Sequence, residues 1–287
     1  MQPSVRRAVF AGSWYPAQAS ECEREIRDFI DRGHITPPRS PNPVGGIVPH
    51  AGWYFSGAIA CNVIHCLAKA GPPGPDVIVL FGMHLHRGSA NIMMPTGGWQ
   101  TPFGVIPVAE ELAAAIAKRF AFRLETPARF TEDNTIELQL PFIKYFFPDA
   151  AIVAMGVPPT RESLAIGSAV VEAAGQLGLS VKVIGSTDLT HYGENYGLAS
   201  HGSGPAAVAW VRQENDRRVI EAMLGLDPER VIDEALKNQN ACCPGAAATA
   251  IQAGKHLGAT VAESITYATS YDRSPGESFV GYVGIVF

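Results

Sequence analysis

Val44-Gly45-Gly46-Ile47-Val48-Pro49-His50-Ala51-Gly52 is a short apolar run that ends in a histidine turn, and the pattern recurs twice along the chain. Val77 to Phe81 leads into Gly82-Met83-His84-Leu85-His86, and Val181 to Gly185 leads into Ser186-Thr187-Asp188-Leu189-Thr190-His191. Short, uninterrupted apolar runs rich in β-branched residues read as strands buried on both faces. Between and beyond them lie segments with helical periodicity: Glu21 to Ile30, Ser56 to Ala70, Val108 to Phe120, Thr135 to Phe147, Glu162 to Leu177, Ala206 to Leu224, Pro228 to Leu236 and Pro244 to Leu257. Ala151 to Val157 is a further strand. Glu263 to Thr269 and Phe279 to Phe287 flank the turn-rich Asp272-Arg273-Ser274-Pro275-Gly276 and are expected to pair antiparallel. This alternation predicts an α/β fold: one three-layer domain over residues 1–287, with a central mixed, mostly parallel sheet and helices on both faces. Pro37 to Pro43 and Gly71 to Pro75 are short connectors, and no linker divides the chain.

In an open α/β sheet, ligands and catalytic groups gather beyond the carboxyl ends of the strands. His50, His84, His86, Asp188 and His191 all stand there in this sequence. His84 and His86 are two apart, which in extended backbone sets both on one face; the spacing suits two metal ligands, or one ligand and one rim residue. Asp188, three residues before His191, is placed to orient that imidazole and fix its tautomer. Each has an ordinary structural reading as well: a turn histidine at His50, an Asp188 that caps a turn, an exposed His191.

The 287 residues are enough for a full core, and they carry a formal charge of −5 with no run of Lys or Arg. Nucleic acid is therefore not an expected partner. No apolar stretch is long enough to span a membrane and the N-terminus lacks the apolar core of a signal peptide, so no membrane association and a cytoplasmic location are expected. The five cysteines are an odd number that includes the adjacent pair Cys242 and Cys243, which argues for reduced thiols rather than a disulfide framework. Cys61 and Cys66 fall within an apolar helical pattern and read as core. Cys242 stands just before a helix start, where a thiolate is favoured, against the commoner reading of an inert buried thiol. His34, His65, His201 and His256 have no evident partner and read as surface or core histidines. Glu132, Asp133 and Glu137 open a helix, where acids complement its dipole; Glu137 or Asn134 facing the site is the minority reading.

A set of segments in fixed order carries a family resemblance. Gly12-Ser13-Trp14-Tyr15-Pro16, Pro49-His50-Ala51-Gly52-Trp53-Tyr54-Phe55-Ser56-Gly57, Trp99-Gln100-Thr101-Pro102-Phe103-Gly104, Ile136-Glu137-Leu138-Gln139-Leu140-Pro141-Phe142, Ser186-Thr187-Asp188-Leu189-Thr190-His191-Tyr192-Gly193 and Val280-Gly281-Tyr282 resemble the Memo family, called AmmeMemoRadiSam system protein B in bacteria. The likeness runs from about Arg7 to Phe287. It implies a fold related to the class III extradiol ring-cleaving dioxygenases, with two His and one Cys as metal ligands. His50 matches the first of these and Cys242 the thiolate, while Asp188 and His191 match a proton-handling pair. The second His falls on His84, with His86 as its rival, because Gly82-Met83-His84 is one residue shorter than the family's Gly-Pro-Ser/Asn-His. Two further departures are Cys243, where the family usually has Gly, and Asn134, where it commonly has His. Asn keeps hydrogen bonding there without carrying a proton charge.

Two imidazoles and one anionic ligand leave positions open on a metal, an arrangement that non-haem Fe(II) uses to hold substrate and O₂ together. Fe(II) is the leading expectation; thiolate also suits Zn(II) or Cu(I). The function expected is a non-haem iron-dependent oxidoreductase, an extradiol-type dioxygenase that opens a small phenolic or catecholic ring with O₂. Trp14, Tyr15, Trp53, Tyr54 and Tyr192 would line a stacking pocket for that aromatic substrate, against ordinary loop packing for each. A non-enzymatic metal- or peptide-binding protein and a zinc-dependent hydrolase are the alternatives. No phosphate-binding loop or nucleophile elbow supports a kinase or a serine hydrolase.

Overall fold

The apolar runs become the middle of one large sheet. The computed structural model describes residues 4–33, 35–69 and 74–287, so His34 and the start of the Gly71 to Pro75 connector lie outside the described residues. In chain order the elements are β1 (Val5–Arg6), α1 (Ala19–Asp31), β2 (Gly45–Val48), α2 (Ala58–Ala68), β3 (Val77–Gly82), β4 (Asn91–Met93), β5 (Gly98–Thr101), β6 (Gly104–Pro107), α3 (Glu110–Arg119), β7 (Phe122–Leu124), α4 (Asn134–Glu137), α5 (Leu140–Phe146), β8 (Ala151–Gly156), α6 (Arg161–Gln176), β9 (Val181–Ser186), β10 (His191–Tyr192), α7 (Pro205–Trp210), α8 (Asp216–Leu224), α9 (Pro228–Asn238), α10 (Pro244–His256), β11 (Glu263–Thr269) and β12 (Phe279–Val286).

The sheet runs β10-β12-β2-β9-β3-β8-β4-β7, with β11 on the far edge of β12. Its centre, β2-β9-β3-β8, is parallel, and β7 is parallel to β4. Antiparallel pairing joins β4 to β8 and joins β12 to β2, β10 and β11, so the sheet is mixed, with its parallel register concentrated in the centre. β12 meets β2 at Ile285 and Val286 and β10 at Phe279 and Val280, which leaves a gap on that edge between the two. The turn after β2 and the loop after β9 open there. A small second sheet, β1-β5-β6, was not foreshadowed by the sequence patterns.

Helices cover both faces. On one side a Cβ at Gly46 would stand 2.6 Å from Val63 of α2, and on the other a Cβ at Gly185 would stand 2.9 Å from Ala250 of α10. α1 buries Cys22 and Ile26, one turn apart, and leans on α2 through Asn62, whose side chain donates to Phe29 O. Trp53 stacks on Phe142 with centroids 4.1 Å apart and donates its indole N–H to Leu138 O, which ties the turn before α2 to α5.

Three helical segments differ from the periodicity. Ser56 to Ala70 begins with a wide π-type turn over Trp53–Gly57. Thr135 to Phe147 is two helices, because Pro141, in the first turn of α5, has no N–H to continue a ladder from α4. Ala206 to Leu224 carries a π-type turn at Val211–Asn215, which adds a residue and sends Asp216 inward. No helix among the described residues is long and apolar enough to cross a membrane.

Candidate metal centre

The parallel strands β2, β3 and β9 end on the same side of the sheet, and each delivers one part of the site. After β2, Pro49 and His50 turn inward. The His50 N–H donates to Asp188 Oδ1 at 2.7 Å, while Gln139 Nε2 and Asn134 Nδ2 donate to the carbonyls of Pro49 and His50. His50 Nδ1 lies 3.0 Å from Ser186 Oγ. The Ser186 hydroxyl spends its only proton on Thr135 O at 2.7 Å, so it accepts from Nδ1 and leaves Nε2 for the centre of the site.

After β3, Met83 takes a left-handed backbone, φ +69°, unusual for a residue with a side chain. Its N–H donates to Thr135 Oγ1 at 2.6 Å, and its side chain fills the space over Gly156, where a Cβ would meet Met83 Sδ at 2.4 Å. This held turn swings His84 toward His50, ring centroids 5.0 Å apart and nearly perpendicular. Asp133 Oδ2 lies 3.9 Å from His84 Nδ1.

Cys242 arrives from the start of α10. A Cβ at Gly245 would stand 2.4 Å from Val157 O, and only that glycine lets the helix N-terminus sit this close to the end of β8. Cys242 Sγ accepts the Asp188 N–H at 3.3 Å and lies 3.2 Å from His50 Nε2. Burial resists a thiolate, but the hydrogen bond from Cys243 and the charge of His50 outweigh it, and Cys242 falls well below its ordinary value. Burial also resists charge on His50, yet Asp188 and Cys242 push it up to about 9. Ligand atoms of His50, His84, Cys242 and Cys243 all lie within 4.8 Å of one another. Among the described residues no other such cluster of His, Cys, Asp and Glu occurs, and His86 is outside it.

Asp188 and His191 stand together with Asp188 Oδ2 3.8 Å from His191 Nε2. That is an ionic contact rather than a hydrogen bond, and the firm bond of Asp188 goes to the His50 backbone. His191 Nε2 is buried without a hydrogen-bond partner. Burial lowers its basicity, but Asp188 and Cys242 raise it more, so His191 titrates above its ordinary range. The loop between them is held from behind. Thr190 N and Oγ1 both donate to Asp216, which also accepts from Tyr267 OH at 2.7 Å; burial lifts this carboxyl to about 6.

A cavity of about 630 Å³ opens over these groups, lined by His50, His84, Asn134, Asp188 and His191 and walled by Trp14, Tyr54, Phe55 and Tyr196. Trp14 and Tyr54 thus face it as the sequence suggests. Tyr15, Trp53 and Tyr192 do not, and this corrects their expected place in the pocket. Tyr15 donates to buried Glu137, Trp53 is sandwiched in the core, and Tyr192 packs on Phe279 behind β10. Within the helical turn Trp53–Gly57 the first side chain packs on α5 and the next two face the cavity, which separates Trp53 from Tyr54. Asn134 lines the cavity. Glu137 is turned away, where Oε1 accepts from Val9 N, Phe10 N and Tyr15 OH and anchors the loop that presents Trp14. Of the unassigned histidines, His201 stacks on Trp210, His65 packs at a tilt against Phe146, and His256 pairs with Glu172.

The loop carrying Asp133 and Asn134 is clamped by Arg6. Its guanidinium sits between Trp99 and Phe130, 4.2 and 4.0 Å from their ring centres, and bonds Glu125 and Thr131 O.

This arrangement can be set beside known proteins. A family model described as Memo-like protein matches residues 6–286. The chain belongs to the Memo family. MEMO1 family proteins of Pyrococcus furiosus and Thermococcus kodakarensis are each 35% identical to it, over 98% and 99% of both chains respectively, and that of Methanopyrus kandleri is 32% identical over 98%. Among solved structures, an uncharacterized protein of Escherichia coli K12 superposes with a TM-score of 0.52 at 13% identity, covering 85% of this chain and 98% of its own. That likeness is one of fold. The Memo-family chain described here therefore carries a cluster of His and Cys side chains able to hold a metal ion. Ser186, Thr135, Phe55, Tyr196 and Cys243 contribute to it without having been singled out as site residues. Ser186 and Thr135 act through other side chains, and Tyr196 lies in a polar loop with no pattern to mark it.

Proposed function

We propose that this chain is a non-haem iron-dependent oxidoreductase of the extradiol type, acting on a small phenolic or catecholic compound with O₂. The observation that supports this reading best is the union of three donors with an open cavity. His50, His84 and Cys242 converge from three separate segments, and His50 and His84 of these line a space whose wall is aromatic and which His191 also faces. The donor set fits a resident ion: Cys242 is held anionic, and His50 keeps its proton on Nδ1 through Ser186. Iron(II) on these ligands would supply the site for O₂ activation and for a chelated, deprotonated diol.

The remaining work falls to the chain itself. Trp14, Tyr54, Phe55 and Tyr196 stack against a flat ring and exclude water. His191, which lines the cavity, accepts the proton of a substrate hydroxyl at Nδ1, while its buried Nε2 faces Asp188, which stabilises the imidazolium that results. Asn134 donates to His50 O through Nδ2, so its Oδ1 is free to accept from a second hydroxyl. The test is O₂ uptake by anaerobically purified protein reloaded with Fe(II), across a panel of catechols, with ring-opened product followed by absorbance. Uptake that depends on Fe(II) and on a vicinal diol supports the reading. A fully loaded protein that consumes no O₂ with any diol, yet hydrolyses esters when given Zn(II), would replace it with the hydrolase.

A further inference from the structure

Cys243 is the donor that the proposed function leaves unused. It is 2% exposed, directly beneath Cys242, with the two sulfurs 3.7 Å apart. Its N–H donates to Thr187 Oγ1 at 3.0 Å, and Pro244 opens α10 immediately after it, so the backbone of the pair is fixed from both sides. Zinc bonds thiolate at about 2.3 Å and imidazole at about 2.0 Å, and a tetrahedron with those arms has sulfur–sulfur edges of about 3.8 Å and sulfur–nitrogen edges of about 3.5 Å. The observed 3.7 Å between sulfurs and 3.2 Å from Cys242 Sγ to His50 Nε2 lie close to such edges. His84 completes four donors within 4.8 Å of one another. An inert core thiol would be expected to pack among carbon atoms; the hydrogen-bond partner of the Cys243 sulfur is another sulfur in the ligand set.

We propose that Cys243 is a fourth ligand, recruited by zinc(II) to close the site into a His₂Cys₂ tetrahedron. The inference rests on the reading that His50, His84 and Cys242 hold a metal. On binding, the ion replaces the thiol proton of Cys243, which passes to solvent, and no oxidation state changes. A tetrahedral ion with four protein ligands has no open position for substrate, whereas an ion held by three keeps one. Zinc and iron would thus occupy the same donors in different ways, with Cys243 as the difference between a closed and an open centre.

Cobalt(II) reports this directly, because it takes the tetrahedral geometry of zinc and its sulfur-to-metal charge-transfer absorption counts thiolates. The reduced full-length protein, stripped of metal, is titrated anaerobically with Co(II), alongside Cys243→Ala, Cys243→Ser and Cys242→Ala. The wild type should bind a single ion with strong tetrahedral ligand-field bands, and both Cys243 variants should bind it with about half the charge-transfer intensity and weaker bands. Equal charge-transfer intensity in wild type and both Cys243 variants would overturn the fourth ligand and leave the three-donor site standing. No binding to the wild type, or unaltered binding to Cys242→Ala, would overturn the underlying metal site as well. Circular dichroism of each variant establishes that a lost signal belongs to the ligand and not to the fold, and the serine variant keeps the comparison if alanine disturbs the core.

Discussion

Ser186→Ala tests how the sequence presents His50 to an ion. Ser186 Oγ accepts from His50 Nδ1 at 3.0 Å and donates to Thr135 O at 2.7 Å, and Ser186, His50 and Thr135 are all buried. Alanine removes both bonds without adding bulk. Above a pH of about 9 the metal-free His50 ring is neutral and can carry its one proton on Nε2, facing the Cys242 sulfur at 3.2 Å, so in the apo protein at that pH the loss is confined to the Ser186 bonds and is expected to be about 1–3 kcal/mol of stability. With an ion on Nε2 the neutral ring has no such choice. Its remaining proton must sit on Nδ1, where it becomes a buried donor without an acceptor, at about 1–3 kcal/mol. That penalty falls on the bound state alone, so metal affinity should drop about 5- to 150-fold. Competition of Co(II) between protein and a chromophoric chelator measures the affinity, and urea unfolding of the apo protein measures the stability. An affinity within about twofold of wild type, less than about 0.4 kcal/mol, in a variant that is destabilised as expected would refute the tautomer argument.

Trp53 and Tyr54 are neighbours with opposite fates: Trp53→Ala should lose about 3–5 kcal/mol in urea unfolding, whereas Tyr54→Ala should leave stability within about 0.5 kcal/mol and weaken only aromatic ligands of the cavity. His191→Gln should retain metal by elemental analysis while turnover falls about 10²- to 10⁴-fold; loss of the ion from this variant would make His191 a ligand instead. Burial lifts Asp216 from 3.8 to about 6, so the folded state holds a proton that the unfolded state has released between those values. Stability from this group is therefore greatest below pH 3.8 and is lost as pH rises toward 6, by a few kcal/mol; Asp216→Asn should flatten that slope in urea unfolding at a series of pH values, and an unchanged slope would count against the burial argument. Arg6→Met should strand Glu125 and the loop before Asp133, with a loss of about 3–5 kcal/mol and faster proteolysis of residues 126–133.

The sequence discloses the centre of the fold because Val77 to Phe81 and Ile47-Val48 are buried on both faces, and no polar alternation is needed to name a strand of that kind. The short strands are harder to read. Gly98–Thr101 and Gly104–Pro107 form a hairpin whose residues mix Gly, Pro and polar side chains, and β10 is set by pairing of His191 with Val280 rather than by propensity. The break at Leu138-Gln139 was marked in advance by Pro141, yet the apolar face running through both halves hides it. The site is legible through residues that end apolar runs, His50, His84 and Asp188. Its aromatic wall is less so, because Tyr15 and Trp53 carry the same chemistry as Trp14 and Tyr54 and differ only in which way a tight turn points them.

His50 and Cys242 are separated by 192 positions, and they meet only when α10 has docked beyond the ends of β2, β3 and β8. A growing chain that has not yet made Cys242 can offer an ion only scattered imidazoles. β2, which carries the His50 turn, pairs with β9 and β12, so the full donor set is assembled late, when most of the chain is present. An ion that enters then acts as a clasp between two distant stretches of the sequence, and parting the His50 turn from the start of α10 must release it.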